Sequence, residues 1–289
     1  MIDFREIEKS LTVNFGTQFQ IINSTPLQGG DINQVFKLET SEESYCIKIN
    51  KADSFPNLFK TEFDGLNTLI SADEIDIVEP ICHGEINGHT YLLLAFVEIG
   101  QATDKTQLNF GRQLAQLHLH SDINFGLTYD NYIGSLVQKN KPTKNWSDFF
   151  FDQRLLPQIR IAQKSNLLQA EDLKHFENFK NRLSELFPEE PPALLHGDLW
   201  NGNYLVNKKG NAVLIDPAIY YGNREMDLAM TKLFGGFERM FYEGYHENYP
   251  LSPGWEDRVQ YWNLYPLLVH LNLFGGSYLP SLRQIINKF

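Results

Sequence analysis

The stretch LLHGDLWNGNYLVNKKGNAVLIDPA, residues 194–218, decides the fold. It begins and ends with short apolar runs, which predict two short buried strands. Two polar clusters follow these runs, HGDLWNGN at 196–203 and DPA at 216–218. We therefore expect both clusters to lie at strand ends.

The spacing within these clusters is typical of phosphoryl-transfer enzymes. Asn203 follows Asp198 by five positions, and Asp216 follows an apolar strand, where kinases carry a catalytic Asp and Asn and then a metal-binding Asp. A carboxylate such as Asp198 can orient an acceptor hydroxyl and take its proton. Mg²⁺ prefers oxygen ligands, which suits Asn203 and Asp216. Each piece alone also fits an ordinary turn, and only their order and spacing favour function.

A lysine and a glutamate in the N-terminal part extend this pattern. Lys48 lies on the polar face of a strand whose other face is apolar. The helix predicted at about 56–70 offers Glu62 as an ion-pair partner. Such a pair holds the α- and β-phosphates in kinases, whereas each residue alone would be an exposed charge.

Two further segments are candidates for nucleotide contacts. Gly29 and Gly30 lie between two predicted strands, where a phosphate-covering loop would be placed. Their segment matches neither G-x-G-x-x-G nor a Walker A motif, and it fits an ordinary hairpin turn equally well. The strand at 91–97 leads into the second half of the chain, and its end offers backbone groups to adenine from Ala95, Phe96 and Val97.

The distribution of strand and helix signals along the chain predicts an α+β fold, a bilobal arrangement with two unequal lobes. Strand signals and one helix dominate up to about residue 97, and helical periodicity dominates 105–120, 146–163 and 169–187. We expect a β-rich nucleotide-binding lobe at 1–97 and a larger, mostly helical catalytic and acceptor-binding lobe at 98–289. Clefts between two such lobes are common ligand sites.

Composition excludes several classes of function. The chain has 289 residues, a formal net charge of −11 and a pI near 5.2, which disfavours broad contact with nucleic acid or an anionic membrane. Two cysteines are too few for a disulfide framework, and no apolar run is long enough to span a membrane. We expect a cytoplasmic protein without nucleic-acid or membrane partners, and the sequence leaves its oligomeric state open.

Several longer stretches resemble the fructosamine/ketosamine-3-kinase family, relatives of aminoglycoside and choline phosphotransferases. The resemblance implies a bilobal protein-kinase-like fold that uses ATP and Mg²⁺. Its implied substrate is a ketosamine, small or protein-bound, phosphorylated at O3. It rests on HGDLWNGN (196–203), IDPAIYYGNREMDLAMTKLFGGF (215–237), YPLLVHLNLFGGSY (265–278), NYIGSLVQKN (131–140) and NWSDFFFDQRLLPQ (145–158).

The resemblance also implies a role for each matching residue. Asp198 takes the position of the catalytic base, Asn203 and Asp216 take the metal positions, and Lys48 pairs with Glu62 on the nucleotide side. These assignments agree with the roles that the residue types and their spacing suggest.

Other positions are open to two interpretations. Asp227 resembles an acid that braces the catalytic loop, but it also fits a helix N-terminal acid. Trp200 suits stacking on a sugar ring, although plain packing fits equally. Gln138, Asn140 and Arg154 are candidates to line the acceptor side, and ordinary polar loop or helix positions explain them as well.

The implied product has a chemistry of its own. Phosphate at O3 of a ketosamine is a better leaving group than hydroxyl, so elimination would release the amine, which fits deglycation repair. Three alternatives stay open at this point: a kinase of the same fold for another alcohol such as an aminoglycoside, choline or homoserine; a nucleotide-binding scaffold without catalysis; and, more distantly, a metal-dependent hydrolase.

Overall fold

The computed structural model describes residues 4–27 and 32–289. In this part of the chain the α-helices are Phe4–Phe15 (α1), Leu58–Ala72 (α2), Asp104–Leu117 (α3), Trp146–Phe149 (α4), Leu156–Lys164 (α5), Ala170–Lys180 (α6), Leu183–Leu186 (α7), Glu225–Leu233 (α8), Arg239–Asn248 (α9), Trp255–Trp262 (α10), Leu264–Phe274 (α11) and Leu279–Ile286 (α12). The strands are Asn23–Pro26 (β1), Gln34–Glu39 (β2), Ser44–Lys51 (β3), Asp76–Ile77 (β4), Pro80–Ile86 (β5), His89–Ala95 (β6), Asn131–Ile133 (β7), Leu136–Gln138 (β8), Ala193–Leu195 (β9), Tyr204–Val206 (β10), Ala212–Leu214 (β11) and Tyr220–Gly222 (β12). A π-helical segment at Phe150–Leu155 joins α4 to α5, and 3₁₀ turns cover Asn201–Asn203 and Gly276–Tyr278.

A five-stranded antiparallel sheet organises the N-terminal part, in the order β1-β2-β3-β6-β5. Helix α1 packs on one face, where Ile7 and Leu11 are buried against the apolar side of β3. The β5–β6 turn contains Asn87 and Gly88, whose φ angles are +49° and +73°, as a two-residue hairpin of type I′ requires. Both features agree with the sequence, in which Phe4, Ile7 and Leu11 share one face of a predicted helix and Asn87-Gly88 predicts a tight hairpin turn.

Helix α2 covers the other face of the sheet and changes the environment of Lys48. The pattern in β3 predicts a half-buried strand with Lys48 on its polar side. Instead, Phe59 and Leu66 of α2 pack against Leu92 and Leu94 of β6 on that side. Lys48 is consequently only 5% exposed, so it is not an ordinary solvated surface lysine.

The C-terminal part is mostly helical, as predicted. One apolar cluster lies wholly within it, and a second also includes Leu69 and Ala72 of α2 and the nearby Ile75. Short sheets interrupt the helices: β10-β11-β4, β12-β9 and the hairpin β7-β8. Strand β4 pairs in parallel with β11, so the small sheet links the N-terminal part to the segment before Asp216. No helix in the described ranges is long and apolar enough to cross a membrane.

The two short strands predicted within 194–218 are confirmed as β9 and β11, and β10 is a third strand between them. The hairpin β7–β8 was not foreseen, because it lies in the polar stretch 126–145, which lacks a clear apolar period. Its strands have three residues each, too few to show the period-2 pattern.

Candidate active site

The loop after β9 is held by the side chain of His196. The ring Nε2 donates to the carbonyl of Ile215 over 2.9 Å, and Nδ1 accepts the main-chain amide of Asp198 over 3.3 Å. Burial lowers the pKa of His196, although Asp227 opposes the shift. A neutral ring fits both bonds, since one nitrogen donates and the other accepts. His196 therefore ties the loop of Asp198 to the residue before Asp216.

Gly197 allows the two polar clusters to touch. Its φ is +83°, and a Cβ at this position would stand 2.0 Å from the carbonyl oxygen of Ala218. Only glycine satisfies both conditions. The amide of Ala218 in turn donates to the carbonyl of His196 over 2.9 Å. The two clusters predicted to lie at strand ends are thus brought into direct contact.

Asp198 faces the cleft and is oriented by Asn203. The Nδ2 atom of Asn203 donates to Oδ2 and to the main-chain carbonyl of Asp198, each over 2.9 Å. Burial raises the pKa of Asp198 to about 7, with smaller contributions from the carboxylates of Asp216 and Asp227 and opposition from the Asn203 bond. A carboxylate with a pKa near neutrality is suited to take a proton from an alcohol.

Asp216 adopts an unusual backbone conformation. Its φ is +55°, in the left-handed region that few residues other than glycine adopt. Oδ1 forms an ion pair with Lys48, and the side chain is 41% exposed. Backbone strain of this kind is concentrated at functional sites, where the surrounding structure maintains it.

Lys48 connects Asp216 to helix α2. Its Nζ lies 2.6 Å from Oε1 of Glu62, so the predicted ion pair is present, and it also contacts Asp216. Burial alone would lower the pKa of Lys48, but the two carboxylates raise it above its ordinary range. The lysine is therefore charged and lies between Glu62 of α2 and Asp216.

The donor atoms near Asp216 fit a hard divalent cation. Because Nδ2 of Asn203 is held by Asp198, its Oδ1 has no partner in the part of the chain that the structure describes, and the same is true of Oδ2 of Asp216. Across residues 4–27 and 32–289, no three or more His, Cys, Asp or Glu side chains form a metal cluster. Mg²⁺ commonly takes one or two protein oxygens and completes its shell with water and substrate phosphates, so the set is sufficient.

Asp227 holds the start of the loop that carries Asp198. Its carboxylate accepts the amides of His196 and Gly197 over 2.7 and 2.9 Å. The buried His118 ring lies 3.3 Å from the same carboxylate and 2.8 Å from the hydroxyl of Tyr245. Asp227 also lies in the first turn of α8, so both interpretations of this acid hold.

Among the three candidate adenine-binding residues, one main-chain N–H group is free. The N–H groups of Ala95 and Phe96 donate to the carbonyls of Glu79 and Ser44, so neither is available to a base. The amide of Val97 has no partner within the described residues. Gly29 and Gly30, the candidate phosphate-loop residues, lie outside those residues.

An aromatic wall, formed by Trp200, Phe234 and His270, borders the cleft beside Asp198. Tyr265 and His270 are among the residues that line the cleft. His270 lies 4.8 Å from the ring of Phe234, which meets Trp200 edge-on at 5.9 Å. Trp200 and Phe234 are 38% and 39% exposed. Sequence reasoning missed Phe234 and His270 as site residues, and only their presence in family-like stretches could have suggested them.

Gln138, Asn140 and Arg154 do not reach the cleft surface. Each is at most 1% exposed, which corrects the expectation that they line the acceptor side. Gln138 and Asn140 both donate to Oδ1 of Asn131, and Arg154 donates to Asn140. Gln138 and Arg154 also donate to backbone carbonyls, and the guanidinium of Arg154 lies 3.8 Å from the ring centroid of Tyr220. They form a buried network behind the site.

Comparison with known proteins gives one consistent match. The family model described as fructosamine kinase matches residues 3–289. A probable ketoamine kinase from Synechocystis sp. is 37% identical over 286 residues, with 99% of this chain and 96% of the relative covered. A probable ketoamine kinase from Enterococcus faecium is 39% identical over 270 residues, covering 91% of this chain and 94% of the relative.

Solved structures agree at the level of the fold. The crystal structure of a candidate fructosamine-3-kinase from Thermobifida fusca is 32% identical with a TM-score of 0.88, and 97% of each chain is covered. A spectinomycin phosphotransferase, crystallised with ADP and spectinomycin, is 16% identical with a TM-score of 0.61, covering 96% of this chain and 88% of its own. At that identity the likeness concerns the fold alone.

Proposed function

The chain belongs to the fructosamine kinase family, and from this premise we propose that it transfers the γ-phosphoryl group of ATP to the O3 hydroxyl of a ketosamine. Its protein-kinase-like α+β fold is that of a phosphotransferase. A ketosamine is an amine that carries a rearranged sugar such as a fructose or ribulose unit. Free and protein-bound adducts share this acceptor group.

The observation that carries the proposal is the position of Asp198. Its carboxylate stands at the cleft, is oriented by Asn203 and has a pKa raised by burial to about 7. We assign Asp198 as the base that orients the acceptor hydroxyl and accepts its proton during transfer. Transfer breaks the bond from the γ-phosphorus to the bridging oxygen and forms a bond to the sugar oxygen, and ADP leaves.

We propose that Mg²⁺ is held by Oδ1 of Asn203 and Oδ2 of Asp216. When bound, the ion neutralises charge that develops on the phosphate oxygens. The protein supplies the orientation: the ring of His196 fixes the carbonyl of Ile215, and the main-chain amide of Ile215 donates to the carbonyl of Asn203 over 3.1 Å. The two oxygen ligands are therefore set by one connected piece of backbone.

The N-terminal part is proposed to bind the nucleotide. Lys48, fixed by Glu62, would direct its ammonium group to the phosphates, as the lysine–glutamate pair of kinases does. The free amide of Val97 is the candidate donor to adenine. We also retain Gly29 and Gly30 as the candidate phosphate-covering loop. On this basis residues 1–97 form the nucleotide lobe and residues 98–289 the catalytic and acceptor lobe.

The aromatic wall is proposed to bind the acceptor. The exposed faces of Trp200 and Phe234 suit the C–H groups of a sugar ring, and they also attract a protonated amine. The Nδ1 of His270 lies 2.7 Å from the carbonyl of Pro266 and donates to it, which leaves Nε2 as a hydrogen-bond acceptor for a sugar hydroxyl. Burial lowers the pKa of His270, which favours this neutral form.

The biological role is proposed to be deglycation. Phosphate at O3 becomes a leaving group, and its elimination from the sugar chain followed by hydrolysis would free the amine as an unmodified group. The protein needs to supply only the phosphoryl transfer. We propose a cytoplasmic location, which fits the two free cysteines, Cys46 and Cys82, and the use of ATP.

An acceptor screen tests this function directly. ADP release would be measured with ATP and Mg²⁺ in the presence of fructosyl-lysine, ribulosyl-lysine, a glycated protein, choline, homoserine and an aminoglycoside. We expect turnover with one or both sugar-amine adducts and a product phosphorylated at O3. Turnover confined to another alcohol would overturn the assignment of a ketosamine as the substrate. ATP binding without transfer to any acceptor would favour the scaffold alternative.

A Trp200→Ala variant tests the acceptor side of the proposal. It should raise KM for the ketosamine while leaving KM for ATP unchanged.

A further inference from the structure

Gln138, at the end of β8, makes a buried contact with the backbone that carries Asp216. Its Nε2 donates to the carbonyl of Ala218 and to Oδ1 of Asn131, each over 2.9 Å. Its Oε1 accepts the hydroxyl of Tyr265 over 2.8 Å. Gln138 is 1% exposed, so water does not replace these bonds. Both halves of its side-chain amide are therefore committed.

Ala218 is the place where the two catalytic segments meet. Its amide donates to the carbonyl of His196, and its carbonyl occupies the space beside Gly197 where a Cβ would stand. His196 precedes Asp198 by two residues, and Ala218 follows Asp216 by two. A side chain that fixes the carbonyl of Ala218 thereby fixes the distance between the two acids.

A second layer fixes the orientation of the Gln138 amide. Oδ1 of Asn131 accepts from Gln138 and from Nδ2 of Asn140, the latter over 2.7 Å, while its own Nδ2 donates to the carbonyl of Ile219 over 2.9 Å. Oδ1 of Asn140 accepts from Arg154 over 2.7 Å. An amide flip at Asn131 or Gln138 would place like groups against each other. The side-chain amides of Gln138, Asn131 and Asn140 are therefore held in a single arrangement, whereas Nε of Arg154 has no hydrogen-bond partner within the described residues.

We propose that Gln138 is a positioning residue for phosphoryl transfer, which acts through the carbonyl of Ala218 to fix the spacing between Asp198 and Asp216 and does not touch the substrate. The inference rests on the proposed function in so far as these two acids carry out the transfer. It replaces the expectation that Gln138 contacts the acceptor.

Gln138→Met is the main test, because methionine has a similar length and shape and lacks the N–H donor. Loss of the hydrogen bond from Gln138 to the carbonyl of Ala218 should lower kcat by about 10–100-fold, which is the scale expected for a misplaced catalytic group. KM for ATP and for the ketosamine should stay within about twofold of the wild type, because Gln138 itself is buried and does not reach the cleft. Hydrogen exchange should accelerate in peptides covering 194–222 and not in the five-stranded sheet.

Tyr265→Phe is the second variant, since it removes only the hydroxyl that holds Oε1 of Gln138. It should lower kcat in the same direction by a smaller factor, and the double variant should lose less than the product of the single losses. Val137→Thr is the matched control, because Val137 neighbours Gln138 on the hairpin and is 44% exposed. It should leave all constants unchanged.

Two results would overturn the proposal. One is an increase in KM for the ketosamine with kcat unchanged in Gln138→Met, which would indicate direct contact with the acceptor. The other is an unchanged kcat in Gln138→Met, or in Tyr265→Phe where Gln138→Met does not fold. If the wild type phosphorylates no ketosamine, the proposed function fails, whereas the ratio of acceptor-free ATP hydrolysis between variant and wild type still decides the role of Gln138.

Discussion

Nδ2 of Asn203 donates to Oδ2 of Asp198 over 2.9 Å and at the same time to the main-chain carbonyl of Asp198 over 2.9 Å. One side-chain amide therefore orients the candidate base. Because the nitrogen is held, the oxygen of the same amide is directed elsewhere, and we propose that it binds the metal. The base and the metal position are linked through a single residue.

The Asn203→Ala variant tests both proposed roles of Asn203, the orientation of Asp198 and the binding of the metal. We expect kcat to fall by about 100-fold or more, since both the orientation of Asp198 and one metal oxygen are lost. The Mg²⁺ concentration for half-maximal rate should rise, as measured by titrating Mg²⁺ at fixed ATP. Asn201→Ala is the control, because Asn201 is exposed in the same turn. An unchanged Mg²⁺ requirement in Asn203→Ala would contradict the assignment of a metal ligand.

The Asp198→Asn variant should lose activity and gain stability at neutral pH. The pKa of Asp198 is raised from 3.8 to about 7, chiefly by burial, so the folded state binds a proton that the unfolded state has released between those values. Stability from this group is full below about pH 4 and is lost as the pH rises towards 7. Asparagine removes this loss, which by linkage is about 2–4 kcal/mol.

The measurement for Asp198→Asn is thermal unfolding without ligands at about pH 8 and about pH 4. The variant should have the higher Tm at the alkaline value, and the difference should vanish at the acid value. A variant less stable than the wild type at both pH values would contradict the raised pKa. Near-normal turnover would exclude Asp198 as the base.

Lys48→Met should weaken the productive binding of ATP. The change leaves Glu62 and Asp216 near each other without the cation that neutralises them. We expect kcat/KM for ATP to fall by about 100-fold or more, and KM for the ketosamine to change little. Lys51→Met at the exposed end of the same strand is the matched control. Equal losses in both variants would indicate a general effect of charge and not a specific contact.

The sequence was sufficient for much of the site because its signals are local. The order and spacing of Asp198, Asn203 and Asp216 predicted their association, and the structure places them around one backbone junction. The ion pair of Lys48 with Glu62 was also anticipated, from a strand followed by a helix. Such patterns encode both the element and the chemistry that the element presents.

The remaining features depend on long-range packing that no local pattern records. Gln138 looked like a polar loop residue, and its burial follows from contacts with Ala218 and Tyr265, which lie 80 and 127 positions away. His270 lies on an apolar helix, and it becomes a candidate site residue only because that helix borders the cleft of Asp198. The amides of Ala95 and Phe96 are occupied by partners that only the folded sheet brings near.

Gly197→Ala should abolish activity, and Gly210→Ala should not. Both residues have positive φ, +83° and +82°, so alanine strains the backbone equally, by about 1–2 kcal/mol. At Gly197 the added Cβ would also meet the carbonyl of Ala218 at 2.0 Å, whereas at Gly210 the nearest atom is 3.9 Å away. Circular dichroism, Tm and kcat should be compared for the pair. Similar kcat values in the two variants would show that the close approach of the two segments is not needed for transfer.

Tyr132 should couple the hairpin β7–β8 to the nucleotide side. Its hydroxyl donates to the carbonyl of Pro56 over 2.9 Å, and its ring meets Phe55 edge-on at 6.3 Å. Pro56 lies two residues before α2, the helix that carries Glu62. The contact therefore links a hairpin that holds the Asp216 segment to the helix that holds Lys48.

A graded pair of substitutions measures this link. Tyr132→Phe removes one hydrogen bond and keeps the ring, so unfolding should cost about 1 kcal/mol less and KM for ATP should rise by about twofold. Tyr132→Ala removes both contacts, and KM for ATP should rise further, by about 5–10-fold, because α2 is less firmly placed. KM for the ketosamine should not follow the same trend. If Tyr132→Ala lowers Tm while KM for ATP stays constant, the contact stabilises the fold and does not set the position of the Lys48–Glu62 pair.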